Sequence, residues 1–587
     1  MTLIGEMAEI IRNGGTVVFP TETVYGIGAN ALDPGAVAGI FAAKGRPPDN
    51  PLIVHIADIS QIETVAPDVP DVAYKLMERF WPGPLTLILK KSPKIPSIVT
   101  AGLETVAVRV PKHRVAYELI MESKLPIAAP SANISGKPSP TKTSHVINDL
   151  FGKVDAIIDC GQTQIGLEST VLDLTAQVPA ILRPGGVTRE ELEEVLGEAL
   201  SARTHSTQPQ HTAPGQAGAS VKLLRSQSPA VRAVEDQRSG DRGRSPLRDT
   251  YRSYDFGLNC NPSSTPESLN APSPTEADIN PPRSPGMKYK HYAPDAKMVQ
   301  LTGSREQIAA RINLLTSRIS EIPQIFTNDP GSARGEGRRQ TGLIKIGVLA
   351  TDELFDLLNP NDALISVSMG NSGSLGTLAG NLFDSLRKLD ELNVDIILAE
   401  SFPQNGLGYA IMDRLNRAAS GRIIKTGEYG EILFVCTGNT CRSCMAEAFF
   451  NYLMEECGIG KSNTPVQAPV FAKSAGINAI DNDPASEAAI NVMAENWGIS
   501  LAEHRARTLT GDMIAKADLI LTMGNGHKSN ILRTYPDSFG KVFTILEFTQ
   551  NSGLDITDPF GWGREVYEKC SRQIKAAVDK LVEIILP

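Results

Sequence analysis

Residues Glu431 to Ser443 read EILFVCTGNTCRS. An apolar, β-prone run ends on Cys436, a glycine-containing loop follows, and Arg442 leads into an amphipathic helix from Ser443. Strand, loop and helix in this order form the unit of a doubly wound, parallel α/β sheet. Downstream, strand-like ADLILTM (Ala517–Met523) and KVFTIL (Lys541–Leu546) alternate with helical stretches. In the last of these, Val566, Cys570, Ile574, Ala577, Val578, Leu581 and Ile585 recur at steps of three or four, which gives one apolar face.

The loop after Cys436 has the makings of an anion cradle. Backbone N–H groups of the loop and of the helix N-terminus converge on a phosphate-sized dianion. Arg442 can grip two of its oxygens through a planar fork. The same positive surroundings favour the anionic sulfur that Cys436 needs as a nucleophile. Cys441 and Cys444 form a C-x-x-C, but no second Cys/His pair stands nearby at ligand spacing, so no metal is expected on protein side chains. Cys441 is instead expected to trap an oxidised Cys436 as a disulfide.

DPFGWG (Asp558–Gly563) lies near the far end of the same region. With it, the stretch from Glu431 to about Leu586 resembles the low-molecular-weight protein phosphatases, whose signature is a C-x5-R-S loop. The resemblance implies that Cys436 is the nucleophile, that Asp558 protonates the leaving group and then acts as base, and that no cofactor is used. It implies that Asn439 and Ser443 brace the loop, with Ser443 also donating to the thiolate. Apolar Phe560 and Trp562 are expected to favour a protonated Asp558 carboxyl. Cys444 stands where the family usually has Pro. Thr440 stands where the tyrosine phosphatases carry a larger aliphatic residue and, with Phe560, is similar to the bacterial protein-arginine-phosphatase branch. That implies phosphoarginine in preference to phosphotyrosine.

At 587 residues the chain is too long for one core. Its 41% hydrophobic and 21% charged residues are ordinary for a folded α/β protein, and a net charge of −9 argues against a protein that coats nucleic acid. An odd total of seven cysteines does not suit a secreted disulfide scaffold, so a reducing cytoplasm is expected. MTLIGEMAEIIRNGG reads as an amphipathic helix, not a signal peptide, and no apolar run is long enough for a membrane span. Residues 1–201 alternate strand-like runs such as TVVFP (Thr16–Pro20), PLIVHI (Pro51–Ile56), LTLILK (Leu85–Lys90) and TVAVRVP (Thr105–Pro111) with helical ones. Residues 202–286 are rich in Ser, Pro, Gly, Arg and Gln and are expected to be a disordered linker. A second α/β domain is expected over 297–425, with IKIGVLA and VDIILAE as buried strands, and a third over 430–587.

The first domain carries PTETVYGIGANA (Pro20–Ala31), KGRPPDNPLIVHI (Lys44–Ile56), VRVP (Val108–Pro111), PSAN (Pro130–Asn133), EST (Glu168–Thr170) and ILRPGG (Ile181–Gly186). Lys44, Arg46, Arg109 and Arg183 are interleaved with Thr, Ser and Asn, a mixture that suits a polyphosphate and a small zwitterion. No Walker loop or GxGxxG is present. In this order the motifs closely resemble the threonylcarbamoyl-AMP synthases of the YrdC-like fold. The two-domain form of that family also has a K-Y-x-H-Y-x-P linker and a Rossmann-like second domain. MKYKHYAP (Met287–Pro294), within an active-site linker at 287–296, and ESFPQNGLGYAIMDRLNRAA (Glu400–Ala419) match these.

The resemblance implies that L-threonine, bicarbonate and ATP, with Mg²⁺, give threonylcarbamoyl-AMP and pyrophosphate for the tRNA-modification machinery. Thr23, His55, Arg109, Ser131 and Ser169 are then expected around threonine. Lys44, Arg46, Asn50, Thr105, Asn133, Thr141 and Arg183 are expected around ATP, with Tyr292 closing over the nucleotide. Phosphorylated proteins are the expected substrates of the C-terminal domain. The competing possibility is an RNA-binding first domain with a non-catalytic phosphoprotein-binding module. A lack of aromatic stacking runs argues against the first part, and intact Cys436, Arg442 and Asp558 argue against the second.

Overall fold

The computed structural model describes residues 2–197, 292–317, 344–362, 364–427, 429–456 and 470–585. The expected linker at 202–286 and the first five residues of the 287–296 motif lie outside the described residues. Three sheets organise the rest. The first contains β1 (Val17–Phe19), β2 (Gly26–Asn30), β3 (Ile53–His55), β4 (Leu85–Lys90), β5 (Thr105–Arg109), β6 (Ile127–Ala128), β7 (Ala156–Ile157), β8 (Thr170–Asp173) and β9 (Ala180–Arg183). Their order is β7-β1-β2-β6-β3-β5-β4-β8-β9, with parallel and antiparallel pairs mixed. The short strands β3 and β5 are parallel, and their register pairs His55 with Arg109, so two of the expected site residues share one sheet edge.

The second sheet is wholly parallel and runs β12-β11-β13-β10-β14. Its members are β10 (Lys297–Thr302), β11 (Ile346–Ala350), β12 (Leu364–Ser368), β13 (Ile396–Glu400) and β14 (Ile423–Lys425). The third is parallel too, in the order β16-β15-β17-β18, from β15 (Glu431–Cys436), β16 (Phe471–Gly476), β17 (Leu519–Thr522) and β18 (Val542–Thr544). Its first strand lies between the second and third, so the chain leaves β15 on one side and returns on the other. The crevice outside the carboxyl end of such a strand is where doubly wound sheets bind ligands, and Cys436 is its last residue. The closing helix Arg564–Ile585 buries the expected face, except that Tyr567 points to the core where Val566 was expected. Among the described residues no helix is long and apolar enough to cross a membrane.

The second sheet joins its neighbours through buried cations. Towards the third sheet, Arg311 of the helix Arg305–Ser317 is buried and donates to the Gly540 carbonyl and the Tyr429 hydroxyl, both at 2.6 Å. Its guanidinium also lies 5.0 Å from the ring centre of Phe543 and 5.4 Å from that of Phe548. Gly540 has φ +92°, and a Cβ there would meet the Ile424 side chain at 2.3 Å, so only glycine allows this approach. One apolar cluster runs unbroken from Val299 and Ile308 to Phe434 and Phe543. Arg311→Ala removes two hydrogen bonds and leaves a hole against two rings, a loss of roughly 2–4 kcal/mol. Urea unfolding of the whole chain checks this; a change below about 0.5 kcal/mol, typical of surface sites, would contradict it.

Candidate active sites

The helix Pro34–Lys44 is capped by Asp33, begins with Pro34 and ends at Gly45 in a left-handed turn with φ +60°. That turn sends Lys44 inward and Arg46 to the wall of a cleft above the first sheet. Arg46, His55, Arg109, Arg183, Thr23, Ser131, Asn133, Ser169 and Tyr292 all line it. Cationic, hydroxyl and amide side chains thus converge on one concave surface.

The three arginines in the wall are fixed from behind. Arg109 donates through Nε to the Gly83 carbonyl (3.1 Å) and through Nη1 to Thr23 Oγ1 (3.0 Å), while Nη2 pairs with the buried Glu22 carboxylate at 2.6 Å. Arg183 donates to the Ser169 carbonyl at 3.1 and 3.0 Å and to its hydroxyl at 3.2 Å. Burial pulls Arg183 below the ordinary arginine value, with Tyr292 and Glu168 opposing. Arg46 Nη2 donates to the carbonyls of Asn50 and Pro51. His55 is pushed down to about 3, first by burial and then by Arg109, so it is neutral. Its Nδ1 has no hydrogen-bond partner among the described residues.

Four expected ATP residues are not in the wall. The Lys44 ammonium donates to the Ser131 and Asn133 carbonyls at 2.5 and 2.6 Å, and burial holds it well below its ordinary value. It therefore props the PSAN loop from inside. Asn50 contributes its backbone carbonyl to Arg46. Thr105 begins β5 whereas Arg109 ends it, so about 13 Å of strand separates Thr105 from the cleft edge. Thr141 is buried behind the wall, where its carbonyl accepts from the Thr163 amide.

Carboxylates were missed. Glu22 and Glu168 lie inside the quoted motifs, and the signal was available: a buried guanidinium needs a counter-ion. Glu168 lines the cleft and accepts from Ser139 at 2.5 Å. Burial raises the Glu168 carboxyl, but Arg414 and Arg183 outweigh this and keep it below the ordinary range.

In the third domain, Asn439 is the hub of the loop. Its backbone is left-handed (φ +57°), and its amide N–H points at Cys436 Sγ, 3.2 Å away. Its Nδ2 donates to Ser443 Oγ (2.9 Å) and Ser474 Oγ (2.7 Å), and its Oδ1 accepts from the Arg507 amide (2.9 Å). Ser443 Oγ is 3.0 Å from the sulfur, close enough to donate to a thiolate. Arg442 opens the helix Arg442–Glu456 and pairs with Asp558 at 2.7 Å, while Cys436, six residues earlier, is buried.

One expectation is corrected here. Phe560 and Trp562 are 76% and 68% exposed, so they do not wrap the Asp558 carboxyl in apolar surface; its neighbour is a guanidinium. Cys441 turns its thiol to Tyr567 Oη (3.2 Å) and Ser486 Oγ (3.4 Å), partners it must leave to reach Cys436. Burial and that thiol push Tyr567 up to about 12. Cys444, in the place of the usual proline, donates to the Cys441 carbonyl at 3.1 Å and so restrains the loop by a hydrogen bond. Thr440 is half-buried in the loop. His527 was not foreseen; its Nε2 is 2.9 Å from Thr437 Oγ1.

A cation-lined cleft on one α/β domain and a cysteine–arginine–aspartate loop on another define an enzyme that handles phosphorus oxyanions at two separate sites. Comparison with known proteins narrows this. The chain belongs to the threonylcarbamoyl-AMP synthase family, extended by a low-molecular-weight phosphatase domain. Residues 9–185 match the family described as telomere recombination, 264–420 the threonylcarbamoyl-AMP synthase C-terminal domain, and 431–586 the low molecular weight phosphotyrosine protein phosphatases. The threonylcarbamoyl-AMP synthase of Pyrococcus abyssi (strain GE5 / Orsay) is 41% identical over 418 residues, 71% of this chain and 94% of that protein. That of Bacillus subtilis (strain 168) is 41% identical over 423 residues, 72% and 94% of the two chains. A crystal structure of P. abyssi Sua5 complexed with L-threonine superposes with a TM-score of 0.53 at 38% identity, covering 72% of this chain and 95% of that one.

The neutral His55 gives the fold an acid sensitivity of definite sign. Its folded value of about 3 lies below the ordinary 6.5, so its contribution to stability is complete above 6.5 and is lost as pH falls towards 3. Between pH 7 and 4.5 the wild type is expected to lose on the order of 2 kcal/mol more than His55→Gln. Urea unfolding at both pH values measures this, and equal losses would refute it.

Proposed function

We propose that the chain makes threonylcarbamoyl-AMP in the N-terminal cleft and hydrolyses protein phosphoarginine at the Cys436 loop, with the division of labour following the domain boundaries given above. The observation that carries the first half is the convergence of Arg46, Arg109 and Arg183 with Thr23, Ser131, Asn133 and Ser169 under the Tyr292 ring. Arg109, neutral His55, Thr23, Ser131 and Ser169 would hold threonine, the guanidinium taking its carboxylate. Arg46, Arg183, Asn133 and Tyr292 would hold ATP, with Lys44 serving as the prop of the PSAN loop.

The threonine amine and bicarbonate give a carbamate and water. A carbamate oxygen attacks the α-phosphorus, the bond to the bridging β-phosphate oxygen breaks, and pyrophosphate leaves. The cationic wall stabilises charge building on the phosphoryl oxygens, and the fixed geometry brings the two reactants together. The described residues contain no group of three or more metal-ligating side chains. Mg²⁺ would enter on the triphosphate and shield its charge. The product is handed to the tRNA-modification machinery that forms threonylcarbamoyladenosine, a cytoplasmic pathway.

At the second site the Cys436 sulfur attacks phosphorus, and the bond from phosphorus to the leaving nitrogen breaks as Asp558 supplies a proton. Asp558 then takes a proton from the water that cleaves the phosphocysteine. The choice of phosphoarginine rests on Thr440, a short hydroxylated side chain in the loop, together with Phe560.

Pyrophosphate release strictly dependent on threonine, bicarbonate and ATP is expected; release without threonine would refute the synthase assignment. Cys436→Ser is expected to abolish p-nitrophenyl phosphate hydrolysis. Thr440→Ile is expected to lower kcat/KM for phosphoarginine protein about tenfold, or ~1.4 kcal/mol, while sparing phosphotyrosine. Comparable wild-type turnover of both substrates, unchanged by the substitution, would end the preference.

A further inference from the structure

The ESFPQNGLGYAIMDRLNRAA motif supplies Arg414, which is fully buried although it belongs to the second domain and not to the one that carries the cleft. Its Nε donates to Glu168 Oε2 at 3.0 Å, its Nη1 to Asp413 at 2.8 Å, and its guanidinium lies 5.5 Å from the centre of the Tyr292 ring. Tyr292 is stacked on its other neighbour, Phe383 of the helix Leu375–Glu391, with centroids 5.2 Å apart. The second domain comes this close because Gly166 and Gly380 pack backbone to backbone; a Cβ on Gly166, where φ is +72°, would lie 2.5 Å from Gly380 Cα.

Glu168 and Tyr292 are both walls of the cleft, and Arg414 is the group they share. A lone carboxylate in the wall of a site meant for a triphosphate would repel its substrate, and at low local dielectric the repulsion is large. We propose that Arg414 is a positioning residue for the synthase reaction: from the second domain it neutralises Glu168 and steadies the Tyr292 ring, so that the cleft accepts a polyanion only when that domain is docked. The proposal rests on the assignment of the cleft to ATP and threonine. Arg414 does not line the cleft; it sets the charge and position of two groups that do.

The test uses the full-length chain and four forms: wild type, Arg414→Leu, Arg414→Lys and the double variant Arg414→Leu/Glu168→Gln. Thermal unfolding and p-nitrophenyl phosphate hydrolysis at the distant Cys436 loop report whether each remains folded. Arg414→Leu is expected to raise KM for ATP by roughly tenfold or more, since one member of a buried charge pair is removed, with a smaller change in kcat. Arg414→Lys should retain most of the affinity. The double variant should recover much of it, because the unpaired carboxylate is gone; a residue that merely held the fold would show no such recovery. Unchanged KM in Arg414→Leu, or a double variant no better than the single, overturns the proposal. Binding of a non-hydrolysable ATP analogue, measured by calorimetry, gives the same comparison without turnover. If the wild type binds the analogue but shows no threonine-dependent pyrophosphate release, the catalytic assignment fails while the role of Arg414 is still judged by binding.

Discussion

Guanidinium groups repel one another and resist burial, yet Arg109, Arg183 and Arg414 are all buried around a single cleft. Such a cluster is stable only if every cation meets a carboxylate, a carbonyl or a ring in fixed geometry. The Glu22 pair, the Ser169 carbonyl and the Glu168 pair supply these. Much else follows from this requirement. The β3–β5 register, the close approach of Gly166 to Gly380 and the seating of Tyr292 all serve to bring a counter-group to an arginine. The helix Leu375–Glu391 repeats the device, with Arg387 on Asp149 at 2.8 Å and Asp384 facing both Lys142 and His145 of the first domain.

The two candidate sites gather positive charge by different physical means. In the first domain the positive charge comes from long side chains drawn from distant parts of the chain, and order depends on what holds them. At the Cys436 loop much of it comes from backbone dipoles and a helix N-terminus within eight residues, with one arginine added. Local backbone needs little outside support, and Asn439 supplies most of it through four hydrogen bonds of its side chain and amide.

This difference decides how much could be read from the sequence. EILFVCTGNTCRS states its strand, loop and helix in consecutive letters, so Cys436, Arg442 and Ser443 could be named and their arrangement drawn. In the first domain, motif membership identified the wall but not which residues face inward. Lys44 and Arg46 are two positions apart, yet one props a loop and the other lines the cleft, because the left-handed turn at Gly45 separates them. Thr105 and Arg109 share a strand but sit at its opposite ends. Arg311 and Arg414 were invisible as core residues, since an arginine on a helix ordinarily reads as a solvated charge. Phe560 and Trp562 misled in the other direction: aromatic residues read as cover, and these two face water.

The seam around Arg311 also bears on how the polypeptide is made. Part of the apolar cluster at that seam belongs to strands and helices that emerge after the second domain. At ribosomal rates of about 5–20 residues per second, the roughly 160 residues after the second domain take on the order of ten seconds to appear. For that interval Ile308, Ile312 and the Arg311 guanidinium have no Phe543 to rest on, and the nascent chain presents a sticky flank to chaperones and proteases. A ribosome that stalls within the third domain therefore leaves the second without the rings and strands that cover its flank in the finished fold.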